Sequence, residues 1–152
     1  MRILALDIGT KRIGVAFADT KVRIAVPRDA ILVDGGEFDR IIKQYQLEKA
    51  ELIVVGLPRN NQGEETAQTS IVREFVSRLE ESFDQHIHAV PPIKMQDESL
   101  TSVAAEGRLG GNISRAERMT GKVDSEAAAI ILQDFIETAN YNQQEKEANG
   151  LR

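Results

Sequence analysis

Residues 2–19 read RILALDIGTKRIGVAFAD, two apolar runs joined by a four-residue turn, GTKR. The first run, residues 2–8, is apolar at alternate and intervening positions alike, as in a strand buried on both faces, which places it near the middle of a sheet. The second, residues 13–19, follows too closely for a crossover, so the two strands are antiparallel. One residue does not belong in such a core. An ionised carboxylate at Asp7 costs several kcal/mol, on the order of the penalty for a buried charge, unless something compensates it.

The pattern outward from this hairpin continues as a single domain. A third strand is expected within residues 22–33, where Pro27 points to a sheet edge. Residues 37–49 carry Phe38, Ile41, Ile42 and Tyr45 at helical spacing, and LIVVG (52–56) is a short buried strand ending at Gly56. After the turn-rich stretch LPRNNQGEET, residues 64–83 place Ala67, Ile71, Val72, Phe75, Val76 and Leu79 on one helical stripe. A fifth strand is predicted over 87–96, interrupted by Pro91 and Pro92, with His86 and His88 alternating there in surface or packing roles. A helix over 101–109, a basic loop over 110–122 and a last helix over 123–139 complete a domain at residues 1–140. Residues 141–152 are predicted to be a flexible polar tail.

Strand order and spacing imply a mixed sheet with strands one, four and five parallel and helices on both faces. Ligands of such sheets gather at the carboxyl ends of the parallel strands, where Asp7, Gly56 and the Asp97–Glu98 pair fall. Asp124 is a further acid. Steps of three, four, seven, eight and eleven from it reach Ala127, Ala128, Ile131, Leu132 and Phe135, so it lies on the apolar, core-facing side of its helix.

Each acid has a structural reading as well as a functional one. Asp124 either caps its helix or faces a ligand. Asp7 either pairs with Lys11 or Arg12 or holds a cation. Alternation alone does not choose between Asp97 and Glu98. Taken together, three converging carboxylates repel one another unless a cation sits between them. All-oxygen donors suit a hard metal, Mg²⁺ or Mn²⁺. Such sites hydrolyse phosphodiesters by activating water and stabilising the leaving oxygen.

Composition narrows the setting. The chain has 152 residues, no cysteine and a formal net charge of -5. Disulfides and thiolate chemistry are excluded, and there is no global basic field for non-specific nucleic-acid binding. Local basic groups nonetheless fall in predicted loops or element ends: Lys11, Arg12, Arg59, Arg108, Arg115, Arg118 and Lys122. These are the candidate nucleic-acid contacts. Neither a signal peptide nor a membrane span is predicted, and a cytoplasmic location is expected.

Four segments, LDIGTKRIGVAFAD, VVGLPRNNQG, DESLTSVAAEGRL and GKVDSEAAAIILQ, resemble the YqgF/RuvX family of Holliday-junction resolvases and pre-16S rRNA nucleases. The resemblance runs in order from about residue 2 to residue 138. It implies an α/β fold of RNase H-like (RuvC-like) type, a mixed five-stranded sheet with helices on both faces. It also implies a metal triad at Asp7, Glu98 and Asp124, choosing Glu98 over Asp97, with Mg²⁺ or Mn²⁺ as cofactor. The implied substrates are the 16S rRNA precursor, with the ribosome as a partner, or branched DNA, and the implied state is a monomer or homodimer. Where the family usually has arginine after the glutamate this chain has Ser99, so Arg108 or Arg12 would have to supply that cation. Two rival classes are a non-catalytic nucleic-acid module and the phosphate-binding half of an actin-like ATPase, whose first hairpin DIGTKRIGVAFAD also resembles.

Overall fold

The computed structural model describes the backbone of residues 1–97 and 122–148, with side chains described for 1–97 and 123–139. Strands β1 (Arg2–Ile8), β2 (Arg12–Asp19) and β3 (Val26–Leu32) are followed by helix α1 (Glu37–Leu47), strand β4 (Leu52–Leu57) and helix α2 (Ala67–Ile87). Strand β5 (Ile93–Asp97) and helix α3 (Lys122–Ala148) complete the described elements. The predicted helix over 101–109 and the loop over 110–121 lie outside the described residues.

The sheet runs β3-β2-β1-β4-β5, with the predicted central strand in the middle. β1 pairs antiparallel with β2 from Arg2 opposite Asp19 to Ile8 opposite Ile13, and parallel with β4, which pairs parallel with β5. The turn closes where the Gly9 N–H donates to the Arg12 carbonyl at 3.0 Å. β3 is an edge strand, as Pro27 requires.

Alternation divides the core in two. Leu4, Leu6, Ile13, Val15, Ile53 and Val55 face α1 and α2, meeting Ile41, Val72, Leu79 and Phe83. Ile3, Ala5, Ala16, Ala18, Leu52 and Val54 face α3, meeting Ala128, Ala129, Ile131, Leu132 and Ile136.

Three boundaries differ from the sequence reading. Helix α2 starts at Ala67 because Asn60 holds the preceding loop, its Oδ1 accepting from the Gln62 and Glu64 N–H groups at 3.0 and 2.8 Å. Thr66 then caps the helix, with its N–H donating to Thr69 Oγ1 at 2.9 Å. At its other end α2 continues to Ile87, so the strand predicted from residue 87 begins only at Ile93. His88 ends the helix in the left-handed conformation, φ 55°, and neither Pro91 nor Pro92 has an N–H to pair with a neighbour. His86 and His88 therefore sit at a helix terminus and not on a strand; His86 Nδ1 lies 2.8 Å from the Ser82 carbonyl and Nε2 3.2 Å from Asp39. Finally, α3 stays helical to Ala148, so residues 141–148 extend a helix where a tail was predicted. The Gln, Glu, Lys and Ala residues there are good helix formers, and the next glycine is Gly150.

Candidate active site

β1, β4 and β5 run parallel and end together, which brings Asp7, Gly56 and Asp97 to one edge of the sheet. Ile3 and Ala5 point toward α3, so Asp7 at the same parity continues that face and is half-buried at its rim. Directly across the β1–β2 ladder from Asp7 is Gly14.

Gly14 determines how close α3 can come. A Cβ at this position would sit 1.9 Å from the Asp124 carbonyl oxygen, 2.3 Å from its carbon and 2.9 Å from the Ser125 nitrogen. The first turn of α3 thus rests on bare strand backbone, and only glycine leaves room for it. Ser125, buried in the same turn, accepts a hydrogen bond on Oγ from the Val15 N–H at 3.3 Å. The β2–β3 register is irregular between Ile13 and Val15, beside this contact. Ala16, Ala18, Ala128 and Ala129 continue the close approach along the helix.

The consequence is electrostatic. Opposite Cα atoms in an antiparallel ladder are about 4.5–5.5 Å apart, so Asp7 flanks the residue on which Asp124 rests. Burial raises the Asp124 carboxyl above the usual carboxylate range, and the nearby Arg12 charge opposes that rise. Asp124 is therefore not simply a solvated first-turn acid. It is a partly desolvated carboxylate under the charge of Arg12, in a helical turn that rests on the residue opposite Asp7, and oxygen donors in this setting fit a hard divalent ion.

The other predicted residues fall out differently. Lys11 is exposed in the turn beyond Asp7, and Arg12 opens β2. Arg59 follows β4, but its guanidinium is engaged: Nε donates to Asp97 Oδ1 at 2.7 Å and Nη1 to the Gly63 carbonyl at 3.3 Å. That contact accounts for Asp97 as the partner of Arg59, which alternation alone had left level with Glu98. Glu98, Arg108, Arg115 and Arg118 lie outside the described residues, as does the side chain of Lys122, whose backbone opens α3. Among the described residues no three acids or histidines form a metal-binding group; of the predicted triad those residues include Asp7 and Asp124. Sequence reasoning missed Gly14 and Ser125. A glycine in mid-strand was the available signal for close approach, whereas nothing in the sequence marks the pairing of Arg59 with Asp97.

The family model for RuvX, described as Holliday junction resolvase, matches residues 1–138. The chain belongs to the RuvX family. Among RuvX relatives, a Chloroflexus aurantiacus protein named "Putative pre-16S rRNA nuclease" is 37% identical over 142 residues, covering 92% of this chain and 89% of that protein. A Desulforamulus reducens protein of the same name is 37% identical over 144 residues, covering 91% of this chain and 98% of its own. In structure, the RuvX chain resembles T. thermophilus RuvC in complex with Holliday junction substrate, with a TM-score of 0.55 at 12% identity, covering 91% of this chain and 95% of that one. The fowlpox virus Holliday junction resolvase gives 0.53 at 10% identity, covering 91% and 99%. At those identities the likeness is one of fold, and it establishes the RuvC-like, RNase H-like architecture.

Proposed function

We propose that this chain is a divalent-metal-dependent nuclease that hydrolyses phosphodiester bonds in structured nucleic acid, with the 5′ end of the 16S rRNA precursor as its substrate. The observation that carries the reading is the seating of the Asp124 backbone on Gly14, the residue paired with Asp7, which brings the turn that bears a partly buried carboxylate to the carboxyl end of the parallel strands. Asp7 and Asp124, with Glu98, are the proposed holders of Mg²⁺ or Mn²⁺. Such an ion, when bound, supplies Lewis acidity to the phosphoryl group and charge compensation to the leaving oxygen.

The remaining roles belong to the chain itself. Carboxylate donors fit a hard ion, and the two histidines lie at the far end of α2, which leads back to the opposite edge of the sheet. Arg12, whose charge reaches Asp124, and exposed Lys11 are placed to meet the phosphates flanking the scissile bond. Arg108, Arg115, Arg118 and Lys122 are proposed to grip the strand beyond it, and Arg59 contributes through its ion pair with Asp97. Ser99 leaves the cation at its position to Arg12 or Arg108. The names of the curated relatives and the net charge of -5 favour an RNA substrate met on the ribosome in the cytoplasm over tight DNA binding. No described helix is long and apolar enough to cross a membrane.

The test is incubation with Mn²⁺ against a labelled 5′-extended 16S precursor and a labelled four-way DNA junction. Trimming of the precursor is expected, and Asp7→Asn or Asp124→Asn should each reduce it to background. Cleavage of the junction alone would reassign the substrate to branched DNA. Cleavage of neither would leave a non-catalytic nucleic-acid module.

A further inference from the structure

At the opposite edge of the sheet from Asp7 and Asp124, a cavity of about 410 Å³ opens between the starts of β1, β4 and β5 and the far half of α3. Ile3, Leu52, Phe135 and Ile136 supply its apolar floor, exposed Arg23 and Lys94 line it as well, and the Thr20 hydroxyl there accepts from the Met1 ammonium at 2.9 Å. None of the lining residues is acidic. Neighbouring Asp19 is occupied elsewhere: it accepts from the Lys21 N–H at 2.9 Å and lies 3.9 Å from Arg2. On a chain of net charge -5, Arg23, Lys94 and the Met1 ammonium around an apolar lining with no lining acid are a local reversal of sign.

Arg23 is held there against its backbone preference. Its φ is 63°, a left-handed conformation that is uncommon for a non-glycine residue and costs about 1–3 kcal/mol where the surroundings enforce it. Gln133 of α3 does the enforcing from both sides. Its Nε2 donates to the Arg23 carbonyl at 3.1 Å, and its Oε1 accepts from the Ala25 N–H at 3.0 Å. The Arg23 N–H in turn donates to the Asp19 carbonyl at 3.0 Å. Gln133 lies two residues before Phe135, so one turn of helix both locks the loop that carries Arg23 and supplies the floor beneath it.

We propose that this cavity binds a small amphipathic anion, with an apolar or aromatic body against Phe135 and a phosphate or carboxylate head between Arg23 and Lys94. The volume falls in the range of about 300–1,000 Å³ typical of small-molecule sites, and apolar lining with a few placed polar groups is their usual make-up. Charge-assisted hydrogen bonds from arginine and lysine select the anionic head, and the aromatic floor selects an apolar body. The site is independent of the proposed nuclease centre, lying at the other end of the strands and needing no metal.

The probe is the aromatic sulfonate 1-anilinonaphthalene-8-sulfonate, titrated by fluorescence against the full chain in chelator. One saturable site is expected, with affinity reduced by about tenfold or more in Arg23→Glu and in Lys94→Glu, equivalent to about 1.4 kcal/mol, and retained in Lys94→Arg. Circular dichroism of each variant should match the parent. Displacement of the dye by adenosine monophosphate assigns the site to phosphates with an aromatic body, and displacement by decanoate assigns it to acyl carboxylates. Unchanged dye affinity in both charge-reversed variants, or displacement by neither competitor, would overturn the proposal.

Discussion

Where α1 and α2 cover the sheet, the interface is filled by Leu4, Leu6, Ile53, Val55, Leu79 and Phe83, with Tyr45 meeting Phe83 edge-on at 5.2 Å. Where α3 covers it, Ile3, Leu52 and Val54 still meet Ile131, Leu132 and Ile136, but the strands also offer Ala5, Gly14, Ala16 and Ala18, and the helix answers with Ala127, Ala128 and Ala129. Large side chains bury more apolar area and hold their helices away from the strands. Small ones give up area and let backbones meet. The difference assigns the faces different work. The first supplies stability, and the second seats the first turn of α3 on Gly14, the residue paired with Asp7, at a closeness that bulky residues would prevent.

Substitutions on the two faces should therefore fail in different ways. Phe83→Ala removes a fully buried ring from the large-residue face and should cost about 3–5 kcal/mol in denaturant unfolding. The folded fraction should still cleave at the parent rate, because nothing at the acidic corner has moved. Gly14→Ala should cost less, about 1–3 kcal/mol, since α3 can shift outward to relieve the overlap. Cleavage should nevertheless collapse, because that shift carries Asp124 away from Asp7. A Gly14→Ala protein with parent activity would mean that the close approach does not serve the site.

Ser125→Ala sharpens the same contrast with a smaller perturbation. The Val15 N–H is buried and donates to Ser125 Oγ, so removing the hydroxyl leaves it without that acceptor, at a cost of about 1 kcal/mol. Cleavage should fall more than this loss of stability explains, because the bond ties the first turn of α3 to β2. Equal loss of stability and no loss of turnover would make Ser125 a packing residue only.

Most of this division was legible in the sequence. The doubly apolar run at residues 2–8 placed β1 centrally, and Pro27 marked the edge. The heptad-like spacing from Asp124 to Phe135 set that acid on the buried side of its helix. What the sequence could not show were contacts made across long separations by residues with ordinary local preferences. Gly14 reads as a weak spot in a strand until the backbone of residue 124 is seen against it. Asp97 gives no local sign that Arg59, 38 positions earlier, is its partner. The start of β5 was misplaced for another reason. Residues 84–87 carry no breaker, and the strong stop about one helical turn later, Pro91–Pro92, hid a helix end made by a left-handed histidine.

The smallest effect tests the electrostatics of the small-residue face directly. Burial raises the Asp124 carboxyl, so the folded chain holds that proton more tightly than the unfolded chain does. The stability linked to that proton is fully present below the unfolded value and is lost as pH rises through the folded one. In chelator, the wild type should therefore lose stability relative to Asp124→Asn as pH climbs from about 3 to about 7. The difference should be no more than about 1 kcal/mol, because the group is only half-buried and Arg12 screens part of it. Asparagine keeps the size and hydrogen-bonding capacity of the side chain, and any lost interaction with the helix dipole is an offset that leaves the falling trend with pH intact. Adding millimolar Mg²⁺ or Mn²⁺ at pH 7 should reverse the order, raising the melting temperature of the wild type more than that of the variant by binding the folded state. Urea unfolding at four pH values, with chelator and with metal, measures both. If the two proteins kept a constant difference across pH and responded equally to metal, Asp124 would be an ordinary first-turn acid and the corner it shares with Asp7 would not be a metal site.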